Sequence, residues 1–333
     1  MGLTNFPGGI TSFGNPVFGG GSMQVPLVGS QAKAFFVDGA RGSDGNRGTD
    51  FRKPLKTVSK AYSLTTDKAG DVIYLMNDGN TSGTSRESAT LTWANDNTHL
   101  IGWCAPTVLS QRARISTPSG QTTIVTPQLL VSGNGNIFSN ISLFEGTDQD
   151  SIDSESVRVT GSRNYFHNVA MMNMGEPSNA HAGDEASSAN LKIDGGAENT
   201  FDGCFIGLDT AARSTTNANV ELVGNTARNT FRNCIFPAFA DNSGVLFIKV
   251  DGNGDIDRWV LFDNCTFINV DNSAATTMTV AINAHSACGG HIIIKDCSLM
   301  GATNWVASAN TKVRLTGSVP TVATTGVSVQ GRS

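Results

Sequence analysis

A unit of about thirty residues recurs along the chain, and no other feature limits its possible folds as tightly. One copy reads Val220-Glu-Leu-Val-Gly, a short spacer, then Thr230-Phe-Arg-Asn-Cys-Ile-Phe236. The copy before it is Leu191-Lys-Ile-Asp-Gly with Thr200-Phe-Asp-Gly-Cys-Phe205, and the copy after it is Leu246-Phe-Ile-Lys-Val-Asp-Gly with Leu261-Phe-Asp-Asn-Cys-Thr-Phe267. Weaker copies lie upstream at Leu130 with Ile137 and at Val157 with Tyr165. Downstream they lie at Val280 with Ile293, and a degenerate Val313-Arg-Leu-Thr-Gly follows. The anchoring apolar residues are Phe138, Phe166, Phe201, Phe231, Phe262 and Ile294, spaced 28, 35, 30, 31 and 32 residues apart.

Each unit holds short alternating strands between Gly or Asn turns and no amphipathic helix. So small a unit cannot bury its apolar face alone, but units stacked in parallel can. Stacking places equivalent residues on ladders about 4.8 Å apart. Two residues after each anchor come Asn140, Asn168, Gly203, Asn233, Asn264 and Asp296, all tolerant of left-handed backbone angles, as a bend repeated in every coil requires. The next position gives Ile141, Val169, Cys204, Cys234, Cys265 and Cys297, a column expected to point inward. Laddered cysteines sit wider apart than the ~3.8 Å Cβ separation of a disulfide, and they lack the clustered spacing of a metal site. Buried free thiols are expected.

Composition agrees with a β-rich chain that turns often, with charged residues at 15%, aromatics at 7% and 37 glycines. The net charge of −5 and the absence of a basic stripe argue against nucleic acid as a partner. The nearest basic pair, Arg112 and Arg114, reads as surface residues of one strand. No run approaches a membrane span, and no signal-peptide pattern opens the chain, so synthesis and folding in a cytoplasm are expected.

Residues 33–78 depart from the repeat. A strand at Phe35-Phe-Val-Asp-Gly leads into a polar loop. Pro54 is read as opening a short amphipathic helix with Leu55, Val58, Ala61 and Tyr62 on one face, and Val72-Ile-Tyr-Leu-Met follows as a buried strand. This arrangement resembles the N-terminal cap of pectin-lyase-like β-helices. The resemblance spans roughly residues 33–320. It implies an all-β fold, a right-handed single-stranded parallel β-helix with a short capping helix and an extended N-terminal arm. The expected organisation is an arm over 1–30 and a β-helix domain over 31–333, with a cap over 31–80 and coils over 81–320.

Eight of the first thirty residues are Gly, with apolar anchors at Phe6, Phe13, Phe18, Val25 and Leu27. Such an arm needs a surface to lie on, and these five side chains are the candidate interaction residues. The segment from Thr4 through Pro16 also resembles the N-terminus of virion-associated proteins of tailed phages. That resemblance implies a non-enzymatic virion component, a capsid decoration or cement protein. It would be assembled in a host bacterial cytoplasm as a homotrimer with the major capsid protein as partner. The alternative is a tail-associated receptor-binding protein or polysaccharide depolymerase on the same scaffold, with a host glycan as ligand.

The β-helix resemblance requires a search for carboxylate pairs. A polygalacturonase-like set of paired aspartates is absent, and Gly289-Gly-His291 is only a partial echo. The loop from Glu145 to Glu155 carries Asp148, Asp150 and Asp153, and the next coil's loop carries Glu176, His181, Asp184 and Glu185. Asp148, Asp150 and Asp184 are the candidate Ca²⁺ ligands; otherwise no catalytic residue, metal or cofactor is expected. Trp93, Trp103, Trp259 and Trp305 are read as core or interface anchors ahead of sugar-stacking residues.

Overall fold

The computed structural model describes residues 11–12, 15–16, 32–77, 81–105, 107, 113–118, 125–144, 153–172, 186–270, 276–307 and 310–318. Its coils wind as an all-β parallel solenoid with almost no helix. Among the described residues, successive coils build three parallel sheets of ten, eight and seven strands. The Phe-x-x-Cys-x-Phe motif supplies two of the three strands in a coil, such as Asn229–Arg232 and Ile235–Ala238. The Val-x-Leu motif supplies the third, such as Ala218–Val223.

The anchors form one inward column. Leu100, Phe138, Phe166, Phe201, Phe231, Phe262 and Ile294 are paired rung by rung in the ten-stranded sheet, and all are fully buried. Phe138 through Phe262 stack face to face, with centroids 4.9, 4.7, 4.5 and 4.5 Å apart and ring planes within 9°. Parallel pairing in register leaves identical side chains one strand spacing apart, which is also a stacking distance.

From Phe138 through Ile294 the bend that follows each anchor is left-handed. Asn140, Asn168, Gly203, Asn233, Asn264 and Asp296 have φ of 55°, 51°, 64°, 55°, 53° and 51°. It turns the chain from the ten-stranded into the eight-stranded sheet and aims the next side chain inward. Cys204, Cys234, Cys265 and Cys297 are accordingly buried free thiols, and the Cys265 backbone N–H donates to Cys297 Sγ at 3.3 Å. Burial pushes the Cys234 thiol well above its ordinary range.

A second ladder precedes the Phe column, and the repeat alone does not reveal it. Asn136, Asn164, Asn199 and Asn229 are buried, and each side-chain oxygen accepts the backbone N–H of the rung before. Thr98 N donates to Asn136 Oδ1 at 2.7 Å, and Asn136 N to Asn164, Asn164 N to Asn199 and Asn199 N to Asn229 each at 2.9 Å. The Nδ2 groups of Asn164, Asn199 and Asn229 donate to the carbonyls of Gly133, Gly161 and Gly196. The turn's buried backbone groups are thereby satisfied where no strand partner exists.

Two sequence expectations need correction. The helix is Val58–Tyr62, capped by Thr57, whose side chain accepts from Lys60 N. Pro54 does not open it, because Leu55 instead bridges Val37 in parallel and Leu55 N donates to the Phe36 carbonyl. The helix packs on strands Ala34–Asp38 and Val72–Met76, at one end of the ten-stranded sheet. Val313–Thr316, read as a degenerate Val-x-Leu strand, pairs with His291–Lys295 and so extends the ten-stranded sheet, not the seven-stranded one. Val-Arg-Leu alternates apolar and polar like either strand type, so the pattern could not separate them.

Candidate functional site

Alternation along each strand sends every second residue to the outside. On the ten-stranded sheet the outward column runs Phe36, Tyr74, Ile101, Ser139, His167, Asp202, Arg232, Asp263, Lys295 and Thr316. It passes from an aromatic end to an ionic end along the solenoid axis.

At the aromatic end Phe36 stacks on Tyr74 with centroids 5.5 Å apart. Trp103 lies 6.1 Å from Tyr74 and 6.3 Å from Phe36, and Phe51 sets its edge against Phe36 at 6.3 Å. Trp103 is 57% exposed and Phe51 54%. Beneath and beside them Val72, Ile101 and Ile137 pack with Tyr74. The result is a firm aromatic platform open to solvent. Burial pushes the Tyr74 hydroxyl pKa up, so it stays protonated and able to donate.

The middle of the column is a polar network. Tyr165 and His167 lie nearly parallel with centroids 6.1 Å apart, and His167 Nδ1 is 3.3 Å from Ser139 Oγ. Three neighbours hold Asp202: the Tyr165 hydroxyl donates to Oδ2 at 3.0 Å, Arg232 Nε meets Oδ2 at 3.0 Å, and Asn233 Nδ2 donates to Oδ1 at 3.2 Å. Partial burial raises the Asp202 pKa, but donation from Asn233 and Tyr165 and the Arg232 charge outweigh it, leaving the carboxyl below its ordinary value. Two rungs on, Lys295 Nζ clasps both oxygens of Asp263 at 2.9 and 3.0 Å.

A general acid needs a raised carboxyl pKa, and Asp202 is shifted the other way. Ser139, His167 and Asp202 occupy three successive rungs, the order of a nucleophile, base and acid. Ser139 is only 1% exposed, however, and no hydrogen bond among the described residues joins His167 to Asp202.

The outer face of the seven-stranded sheet carries a second charged group. Glu155 accepts from Arg158 Nε at 2.7 Å and Nη2 at 2.6 Å, Lys192 Nζ lies 2.7 Å from Glu221, and Lys249 Nζ lies 3.1 Å from Asp251 and donates to the Ala186 carbonyl at 2.9 Å. Burial would lower the Lys192 pKa, but Glu221 and Glu155 outweigh it and the net shift is upward. Glu155, read from sequence as the end of a solvated acidic loop, is buried as the first residue of strand Glu155–Val159. Its ion pairs neutralise a charge taken out of water, a structural task.

Of the other residues singled out by sequence, Asp148, Asp150 and Asp184 lie outside the described residues, as do Glu176, His181, Glu185 and Arg112. The side chains of Phe6, Phe13, Phe18, Val25 and Leu27 lie outside them as well. Ser187 N donates to Asp153 Oδ1 at 3.2 Å and Ser154 N to Ser188 Oγ at 3.0 Å, so the ends of the two acidic loops are neighbours on adjacent rungs. Arg114 places its guanidinium over Phe144, 5.6 Å from the ring centroid. Trp93 and Trp305 are core residues against Phe138 and Phe267. Trp103, 57% exposed, is not a core residue but stands on the outer face, the other place expected of it. On strand His99–Trp103 it shares the outward parity of Ile101, two residues before it. Among the described residues no group of three or more His, Cys, Asp or Glu is placed to hold a metal ion, and no helix is long and apolar enough to cross a membrane.

No family model and no curated relative matches the chain. Similar solved structures are nevertheless found. Pectate lyase Pel9A shares 15% identity at a TM-score of 0.58, over 87% of this chain and 69% of that one. A pectin methylesterase from Aspergillus niger shares 14% identity at 0.52, over 89% and 91%. A rhamnogalacturonan lyase shares 14% at 0.51, over 80% and 67%. At such identity the likeness establishes the parallel β-helix and nothing finer.

Proposed function

We propose that this β-helix recognises an extended polysaccharide laid along the outer face of its ten-stranded sheet, as a receptor-binding or polysaccharide-engaging protein. The exposed aromatic platform of Phe36, Phe51, Tyr74 and Trp103 carries the proposal. Large exposed aromatic rings in one patch mark a binding surface, and a sugar ring presents an apolar C–H face that stacks on them while its hydroxyls meet polar neighbours. Tyr165, His167, Asp202, Arg232, Asp263 and Lys295 supply those neighbours along the same line. A pyranose is about as long as one ~4.8 Å rung is tall, so a polymer and the ladder run in comparable steps. The similar solved structures are named for pectate, pectin and rhamnogalacturonan chemistry, which lends support to a polysaccharide as the ligand class.

The reading as a capsid-decorating virion protein, homotrimeric and docked on the major capsid protein through residues 1–30, draws on residues outside the described ones. Neither the fold nor the comparisons bear on it. Glycan binding is tested by screening the purified chain against immobilised polysaccharides, with Trp103→Ala as the control. Loss of about tenfold or more in affinity, roughly 1.4 kcal/mol, is expected from removing that ring. Binding that Trp103→Ala leaves untouched would move the ligand elsewhere, and release of reducing ends or unsaturated products in the same incubations would make the face an active site.

A further inference from the structure

We infer that the glycan taken by this face is electrically neutral and not a polyuronate; the inference rests on the polysaccharide reading above and names its substrate class. A polyanion needs cations free to receive it. Along the described face the cations are instead set beside carboxylates: at the aromatic platform Arg52 lies 5.4 Å over the Phe51 ring with its Nε 3.9 Å from Asp50 Oδ1. Arg232 is committed to Asp202 at 3.0 Å, and Lys295 to Asp263 at 2.9 Å with Asp296 at 3.7 Å. At the edge Arg163 and Arg228 share Glu198 at 3.7 and 3.6 Å. Arg314, outward on the last described rung, stands far along the axis from the aromatic platform.

The signs alternate up the column, so a repeating anion would meet Asp202 and Asp263 at every second rung. Like-charge contact at those rungs offsets the attraction at the others. A neutral chain meets no such penalty. Its hydroxyls can donate to carboxylate lone pairs and accept from the remaining N–H groups without breaking the pairs. The Tyr165 and Tyr74 hydroxyls, the His167 ring and the aromatic platform add neutral contacts.

The experiment measures binding of the whole chain to neutral polysaccharides (glucans, galactans, mannans) and to polygalacturonate, each in dilute buffer and at roughly 1 M salt, where charges are screened beyond about 3 Å. The expected result is binding to a neutral polymer that Trp103→Ala weakens and salt changes less than about twofold. Polygalacturonate should show no comparable binding. The double variant Asp202→Asn with Asp263→Asn releases Arg232 and Lys295, and is expected to gain salt-sensitive polygalacturonate binding. Its fold is checked by circular dichroism against the parent. Tight, salt-sensitive binding of polygalacturonate by the unaltered chain would overturn the inference while leaving the polysaccharide reading intact. Failure to bind any polymer would remove both.

Discussion

The Tyr165 hydroxyl donates to Asp202 Oδ2 at 3.0 Å, reaching diagonally from one rung of the solenoid to the next. Tyr165 belongs to Tyr165–His167 and Asp202 to Thr200–Asp202, strands separated by an entire coil of chain. Arg232 approaches the same carboxylate from the rung beyond, so three coils contribute to one anion. This cross-rung network ties three rungs together in the middle of the outer column.

Tyr165→Phe removes one of three donors to Asp202. The Asp202 carboxyl should then titrate at a higher pH, closer to its ordinary value, and stability should fall by about 1 kcal/mol or less. The sign follows from the lowered native pKa: the carboxylate's contribution is present above the ordinary value of 3.8 and is lost as pH falls through the native one. Carboxyl NMR titration of the two proteins measures the shift. An unchanged Asp202 titration would mean that the hydrogen bond contributes nothing in solution.

His99 is buried, and its Nδ1 accepts from the Ile137 N–H at 3.1 Å, which requires the unprotonated ring nitrogen. Desolvation depresses its pKa from 6.5 to about 4. A histidine with a depressed native pKa stabilises the fold above the ordinary value. Stability should therefore decline as pH drops from about 6.5 towards 4, by up to roughly 3 kcal/mol. His99→Asn keeps an acceptor without the titration and should flatten that slope. Urea melts across the window, with both proteins equally pH-sensitive as the contrary outcome, decide the matter.

Phe231 sits inside the ring stack, 4.5 Å from both Phe201 and Phe262. Phe231→Ala should cost about 3–5 kcal/mol, since neighbouring rungs are fixed by backbone pairing and cannot collapse into the cavity. Phe231→Leu should cost clearly less. Equal losses for the two would show that ring stacking and volume do not matter at this rung.

Asn199 accepts from Asn164 N at 2.9 Å and donates to the Gly161 carbonyl at 3.1 Å while fully buried. Asn199→Ala strands two buried backbone groups and should destabilise by about 2–4 kcal/mol, more than its lost volume accounts for. Hydrogen exchange at the Asn164 amide should accelerate in step. Native-like protection there would show that water or a neighbour replaces the ladder.

The sequence by itself determined the solenoid. Phe at every thirtieth position or so, then two residues on a Gly, Asn or Asp, then a Cys or aliphatic residue, admits one economical solution: identical columns in parallel register with a left-handed bend per coil. The steric limit on φ > 0 and the period-two alternation are local properties, so they can be read from local pattern. The buried asparagine ladder was present in the letters at Asn136, Asn164, Asn199 and Asn229, but Asn is common in turns, and only the fold distinguishes a buried rung-to-rung acceptor from an exposed turn residue.

The site was decided by tertiary structure alone. Phe36, Tyr74 and Trp103 come from three rungs and Phe51 from a loop, and nothing in their spacing announces that they meet. The same holds for Tyr165, Asp202 and Arg232, whose separations of about one coil and two coils are incidental to the chemistry they share. A solenoid's inside is specified by repetition, because every rung must bury the same kind of residue. Its outside carries no such requirement, so which outward side chains become neighbours depends on the register between coils of unequal length.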